Sequence, residues 1–119
     1  MTVKEADLLR ILLVDDNDVV RHGLRALLEM RSGWEVCAEA VNGHQAVEMA
    51  RRMQPNIAIL DASMPNPDGL NATRIIRKVS PQTEVLIFTM HESEQLIREA
   101  LAAGARGYLL KSDAGSQVV

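Results

Sequence analysis

The sequence predicts an α/β domain: a doubly wound parallel sheet of five strands with helices on both faces. Three observations carry this reading. The runs Ile11–Val14, Ile57–Leu60 and Val85–Phe88 are continuously apolar, as befits strands buried on both faces. Stretches with apolar residues at helical spacing alternate with them. The strands end on polar side chains followed by turn formers, so Asp15, Asp61, Thr89 and Lys111 fall at corresponding places.

Taken in order, the chain begins with a polar lead, Met1 to Asp7, before a first strand within Leu8 to Val14. The acidic cluster Asp15-Asp16-Asn17-Asp18 follows, poor in strand formers and rich in cap and turn residues. A helix then places Val20, Leu24, Leu27 and Leu28 inward, and Arg31-Ser32-Gly33 closes it. Trp34 to Ala40 alternates, with Glu35 and Glu39 on one side and Trp34, Val36, Ala38 and Ala40 on the other. That period of two predicts a half-exposed edge strand. Asn42-Gly43 reads as a turn, and Ala46, Val47, Ala50 and Met53 as the next inward stripe, with Pro55 stopping the helix.

The strand ending at Asp61 is followed by breakers: Pro65, Asn66, Pro67, Asp68 and Gly69. A third helix turns Ala72, Ile75, Ile76 and Val79 inward and stops before Pro81. The fourth strand ends on Thr89, and a fourth helix carries Leu96, Ile97, Ala100 and Leu101, capped by Gly104. Gly107 to Leu110 is the fifth strand, ending on Lys111, and Ser112 to Val119 leave a last helix cut short. The edge character of the second strand argues for strand order 2-1-3-4-5, the flavodoxin-like arrangement.

Composition bounds the function. A chain of 119 residues is one domain, residues 1–119, with 47% apolar and 24% charged residues, ordinary for a soluble globular protein. A net charge of −3 without a Lys/Arg cluster gives no nucleic-acid footprint. No apolar run approaches a membrane span, there is no signal-peptide core, and the single cysteine, Cys37, suits a reducing cytoplasm. Cys/His spacing for zinc is also absent. Cytoplasmic localisation is the expectation, with no membrane partner.

A strand ending in Asp is, by itself, explained equally well by a cap or a turn. The suspicion of a site rests on the set, because a parallel sheet gathers Asp15, Asp16, Asp61, Thr89 and Lys111 at one edge. Three neighbouring carboxylates repel one another unless a cation sits among them, and oxygen donors of this kind suit Mg²⁺. Asp61 can then act as a nucleophile toward phosphorus, with Lys111 and the Thr89 hydroxyl stabilising the phosphoryl oxygens.

Leu13-Val14-Asp15-Asp16-Asn17, Leu60-Asp61-Ala62-Ser63-Met64-Pro65 with Asp68-Gly69, Thr89, and Gly107-Tyr108-Leu109-Leu110-Lys111 together resemble the receiver domain of bacterial two-component response regulators. The likeness runs from about Arg10 to Lys111. The wording Phe-Thr-Met-His and Gly-Tyr-Leu-Leu-Lys-Ser-Asp is similar to the subgroup with a C-terminal helix-turn-helix DNA-binding domain (LuxR/NarL/FixJ-like). The resemblance implies a phosphoacceptor domain rather than a true enzyme, with Asp61 accepting a phosphoryl group from a sensor histidine kinase. It implies Mg²⁺ held by Asp15 through water, by the Asp16 and Asp61 side chains and by the Ser63 backbone carbonyl. Thr89 and Lys111 would contact the phosphoryl group, Tyr108 would be an aromatic switch, and the output would be a population shift that can drive a homodimer. DNA would be reached only through a C-terminal domain that these residues do not include.

Two departures stand out. Many receivers place a proline after the lysine with a cis bond, whereas Ser112 follows Lys111 here. The fifth helix of a receiver also runs well past position 119. Ser63 and His91, each two residues beyond a site residue, are candidates for tuning water access. Asp18 reads as a cap or first-turn anion and Asp68-Gly69 as turn chemistry. His22, His44 and the methionines have no role at the site, and Trp34 packs beside the first helix. Three competing readings are weaker. An Asp-nucleophile phosphatase wants a second Asp where Ser63 stands. A degenerate receiver tends to lose the acidic pair or the lysine. A flavin-binding domain needs a phosphate-cradling loop where this chain is acidic.

Overall fold

The structure is a computed structural model and describes residues 8–63, 68–90 and 93–110. Five strands and four helices alternate: β1 (Leu9–Val14), α1 (Asp18–Glu29), β2 (Trp34–Ala40), α2 (Gly43–Met53), β3 (Ile57–Asp61), α3 (Gly69–Val79), β4 (Glu84–Thr89), α4 (Glu94–Ala103) and β5 (Gly107–Leu110). The strands form one sheet in the order β2-β1-β3-β4-β5, and every neighbouring pair is parallel. The predicted topology is therefore observed. The expected polar lead and the truncated last helix fall outside the described residues.

Two apolar layers sandwich the sheet. Leu12, Val14, Ala58, Leu60, Val85 and Ile87 pack with Ala46, Ala50, Ala72, Ile76 and Ala100 of α2, α3 and α4. Ile11, Leu13, Ile59 and Phe88 point the other way, toward Leu24 and Leu28 of α1. Small residues on the helices of the first layer let three helices press close to β-branched and leucine side chains on the strands. Burying each such strand residue contributes roughly 1.5–3 kcal/mol relative to exposure.

The edge strand β2 departs from the alternation expected of it. Its register against β1 shifts by one residue, from Ile11 opposite Val36 to Leu12 opposite Ala38. Such a bulge flips the side-chain parity. Trp34 and Val36 pack on the α1 layer, while Ala38 and Ala40 join the α2–α4 layer, so these four do not share one side. Glu39, opposite Leu13, is turned toward α1.

Three smaller corrections concern the helices. Asn42-Gly43 is the start of α2 rather than a free turn: the Asn42 side chain caps the helix by accepting from the Gln45 N–H at 2.8 Å. Ile75 and Leu101, placed inward by spacing, are 38% and 51% exposed, and Thr73 and Ala103 are buried in their helices. The buried arcs centre on Ala72, Thr73 and Ile76 in α3 and on Ala100 and Ala103 in α4, and Ile75 and Leu101 lie about 100° around the helix from Ile76 and Ala100. Gly104 caps α4 at φ 109°, as expected.

Candidate functional site

The strands β1, β3 and β4 end side by side at the same edge, which sets the level of every candidate side chain. Val14 pairs with Leu60, and Asp61 pairs with Phe88. Asp15 and Asp16 thus continue β1 just past the sheet, and Thr89 sits one residue beyond the level of Asp61. Asp15, Asp61 and Thr89 are buried, at 3%, 3% and 4% exposure, whereas Asp16 is exposed. Carboxylate oxygens of Asp15, Asp16 and Asp61 all lie within 4.8 Å of one another.

This donor set fits a hard divalent cation. An octahedron with bonds of about 2.0–2.1 Å spans about 4.2 Å between opposite ligands. Closing a 4.8 Å spread to that span takes only small side-chain rotations. An exposed Asp16 leaves a solvent side for water ligands, which suits a cation that retains several waters.

Local chemistry holds the set in place. The Asp15 N–H donates to the Ala40 carbonyl at 3.1 Å, and the Asp15 side chain accepts from the Asn17 N–H at 2.9 Å. Asn17 in turn caps α1, accepting from the Val19 and Val20 N–H groups. Asp18 is the acid of the first turn, one of its two expected roles. Behind the loop, Arg21 is a buried cation at 8% exposure. Its Nη1 donates to the Asp15 carbonyl at 2.8 Å, its Nη2 to Asp18 at 2.7 Å and its Nε to Glu39 at 2.7 Å. The bond to Asp18 raises the Arg21 guanidinium above its ordinary range, burial works against it, and the bond to Glu39 reinforces it. Burial pushes the Glu39 carboxyl up, but the hydrogen bonds from Arg21 and Arg25 outweigh this and hold it below its ordinary value.

At β3, Asp61 accepts from both the Ser63 N–H (3.1 Å) and the Ser63 hydroxyl (3.0 Å) through one oxygen, Oδ1. The backbone beneath is fixed by the Ala62 N–H donating to the Phe88 carbonyl at 3.1 Å. The first residue of α3, Gly69, rests directly on this segment. A Cβ placed there would lie 2.6 Å from the Asp61 carbonyl oxygen and 2.8 Å from the Ala62 Cα. Asp68, read as turn chemistry, caps α3 by accepting from the Asn71 N–H at 2.9 Å.

Of the residues proposed from sequence, Asp15, Asp16, Asp61, Ser63 and Thr89 are brought to this edge. Tyr108 lies on the edge strand β5, opposite Ile87 and 38% exposed. Lys111, Ser112 and His91 lie outside the described residues. Sequence reasoning missed Arg21 and Gly69. A signal existed for the first: an arginine at apolar spacing from Leu24 and Leu28 is out of place in an inward stripe unless something pairs with it. Gly69 was hidden because Asp-Gly is ordinary turn vocabulary.

Comparison with known proteins points the same way. A family model described as the response regulator receiver domain matches residues 11–118. The transcriptional regulatory protein LnrK of Bacillus subtilis is 39% identical over 112 residues, covering 94% of this chain and 51% of LnrK. The crystal structure of a LuxR-family two-component response regulator from Aurantimonas sp. SI85-9A1 superposes with a TM-score of 0.87 at 42% identity, covering 93% of this chain and 80% of that one. The signal receiver domain assigned to the response regulator NarL of Mycobacterium tuberculosis gives a TM-score of 0.89 at 30% identity, covering 95% and 91% of the two chains. The chain spans about half the length of the curated relatives it matches. Together with the acidic edge site, these matches establish that the chain belongs to the response regulator receiver domain family.

Proposed function

We propose that this domain accepts a phosphoryl group on Asp61 from the phosphohistidine of a sensor kinase, and that the resulting change is read by an output domain of a longer transcriptional regulator. The observation that carries the proposal is the convergence of Asp15, Asp16 and Asp61, two of them buried, with their oxygens within 4.8 Å. In the transfer, an Asp61 carboxylate oxygen attacks phosphorus, an O–P bond forms, and the N–P bond of the donor breaks. The departing imidazole takes up a proton.

The residues divide the work. Ser63 donates to Oδ1 of Asp61 from both its N–H and its hydroxyl, which orients the carboxylate that would attack phosphorus. The Asp16 and Asp61 side chains are proposed to hold Mg²⁺ directly and Asp15 through water, with the Ser63 carbonyl as a further ligand. The cation would neutralise charge on the phosphoryl oxygens. Thr89, buried at the end of β4, and Lys111 are assigned to the remaining phosphoryl oxygens. Movement of Thr89 would be transmitted to Tyr108, whose exposed position on β5 suits a switch read by a partner. Cytoplasmic location, dimerisation on phosphorylation and DNA binding through an output domain belong to the same proposal. Among the described residues no helix is long and apolar enough to cross a membrane.

Incubation with a small-molecule phosphodonor tests the reading. Intact-mass analysis should register one added phosphoryl group, dependent on Mg²⁺ and absent from Asp61→Asn. Modification that persists in Asp61→Asn would place the acceptor elsewhere.

A further inference from the structure

Arg21 is the most deeply buried cation among the described residues and belongs to no residue set assigned above. Its three hydrogen bonds diverge to three different segments. One reaches the backbone carbonyl of Asp15, one Asp18 in the first turn of α1, and one Glu39 on the edge strand. We infer that Arg21 is a positioning residue for the cation site: it grips the backbone of the Asp15–Asp16 loop from behind, and Glu39 braces it. This rests on the reading of Asp15, Asp16 and Asp61 as the metal site.

Geometry favours positioning over a charge effect. The guanidinium is matched by Asp18 and Glu39, and the neighbouring Arg25 by Glu29 and Glu39, so two cations face three carboxylates. No net positive charge is therefore presented to the site. What Arg21 adds is a planar fork whose donors point in fixed directions, something an ammonium cannot reproduce. Its Nη1 holds the Asp15 carbonyl in a buried setting, where direction is strongly enforced. The Asp15 side chain then orders the Asn17 N–H, which fixes the path of the chain through Asp16.

The β2 bulge completes the device. Without the one-residue shift at Cys37, strict alternation would turn Glu39 away from the face of Trp34 and Val36, on which α1 packs. With it, Glu39 meets both arginines of α1. An irregularity in an edge strand thus reaches the loop carrying Asp15 and Asp16 through a single buried side chain.

The test uses the full chain and two variants, Arg21→Lys and Glu39→Ala. Mg²⁺ affinity is measured by calorimetry, amide exchange of Asn17 is followed in metal-free protein, and denaturant midpoints are recorded in parallel. Arg21→Lys should weaken Mg²⁺ binding about tenfold, the low end for outer partners of metal ligands, and speed Asn17 exchange. Glu39→Ala should move both readouts the same way by a smaller factor. A folded Arg21→Lys with wild-type affinity and exchange overturns the inference. If Arg21→Lys does not fold, unchanged values in Glu39→Ala overturn it instead. If the wild type binds no Mg²⁺, the metal-ligand reading fails, and Asn17 exchange still decides whether Arg21 orders the loop.

Discussion

Gly69 lies against the backbone of Asp61 with no room for a side chain: an added Cβ would stand 2.6 Å from the Asp61 carbonyl oxygen. The obstacle is main chain rather than a flexible side chain, since the Ala62 Cα is only 2.8 Å away. The start of α3 is thus pressed onto the residue that carries the proposed chemistry, and the Gly69 N–H donates back to the Ala62 carbonyl at 3.3 Å.

Gly69→Ala should therefore cost about 1–3 kcal/mol through overpacking, because neither backbone can yield cheaply. Urea denaturation measures this. In the folded fraction the Asp61 carboxylate should be displaced, so the rate of phosphorylation by a small-molecule donor should fall. An alanine variant with wild-type midpoint and rate would mean that the contact is not restrictive.

Ser63→Ala removes one of the two donors to Asp61 Oδ1 and leaves the backbone N–H. Stability should change by less than about 1 kcal/mol, since the site is partly open to water. The carboxylate becomes freer to rotate, and the phosphorylation rate should shift by several-fold with an unchanged unfolding midpoint. Time courses of intact mass for the two proteins provide the comparison.

Glu39 gives a pH signature. Its folded-state pKa is depressed, so the stability it contributes is full above the ordinary glutamate value of about 4.3 and is lost as pH falls through the folded value. Glu39→Gln should be less stable than the wild type by ~1 kcal/mol at neutral pH. The gap should close as pH falls below that ordinary value and on through the lower folded-state value. Paired urea titrations across that range check the sign: a gap that widens on acidification contradicts the assignment.

At the opposite end of the sheet, Thr83 anchors a buried polar knot. Its hydroxyl donates to the Pro55 carbonyl at 2.7 Å and accepts from the Ser80 hydroxyl at 2.5 Å, with the Gln54 side-chain oxygen 3.1 Å from the same Ser80 hydroxyl. Thr83→Val keeps the volume and strips these partners, so it should cost about 1–3 kcal/mol. Because the knot is remote from Asp61, Mg²⁺ affinity should not change.

Continuous apolar runs made the central strands legible, as befits strands covered on both faces, and the polar residues of β2 marked it as the edge from which the order was read. The edge site was legible for a topological reason: parallel strands deliver their last residues to one side, so Asp15, Asp61 and Thr89 had to be neighbours. What escaped the sequence was registration. A bulge at Cys37 leaves no composition signal, and it alone decides that Glu39 faces Arg21 while Ala38 joins the opposite layer. Steric exclusion at Gly69 was equally silent, since the same dipeptide serves any turn. The outward position of Ile75 follows from the rotation of α3, which buries Ala72, Thr73 and Ile76 and leaves Ile75 about 100° away around the helix.

The central claim, a Mg²⁺-dependent acceptor at Asp61 coupled to Thr89, is tested most directly by titrating beryllofluoride, a phosphoryl mimic, with and without Mg²⁺ while following backbone amide shifts. The account predicts Mg²⁺-dependent shifts at Asp61, Thr89, Tyr108 and Lys111 in the wild type and none in Asp61→Asn. A well-folded wild type whose spectrum does not respond would contradict it and leave a receiver fold that serves only as an interaction module.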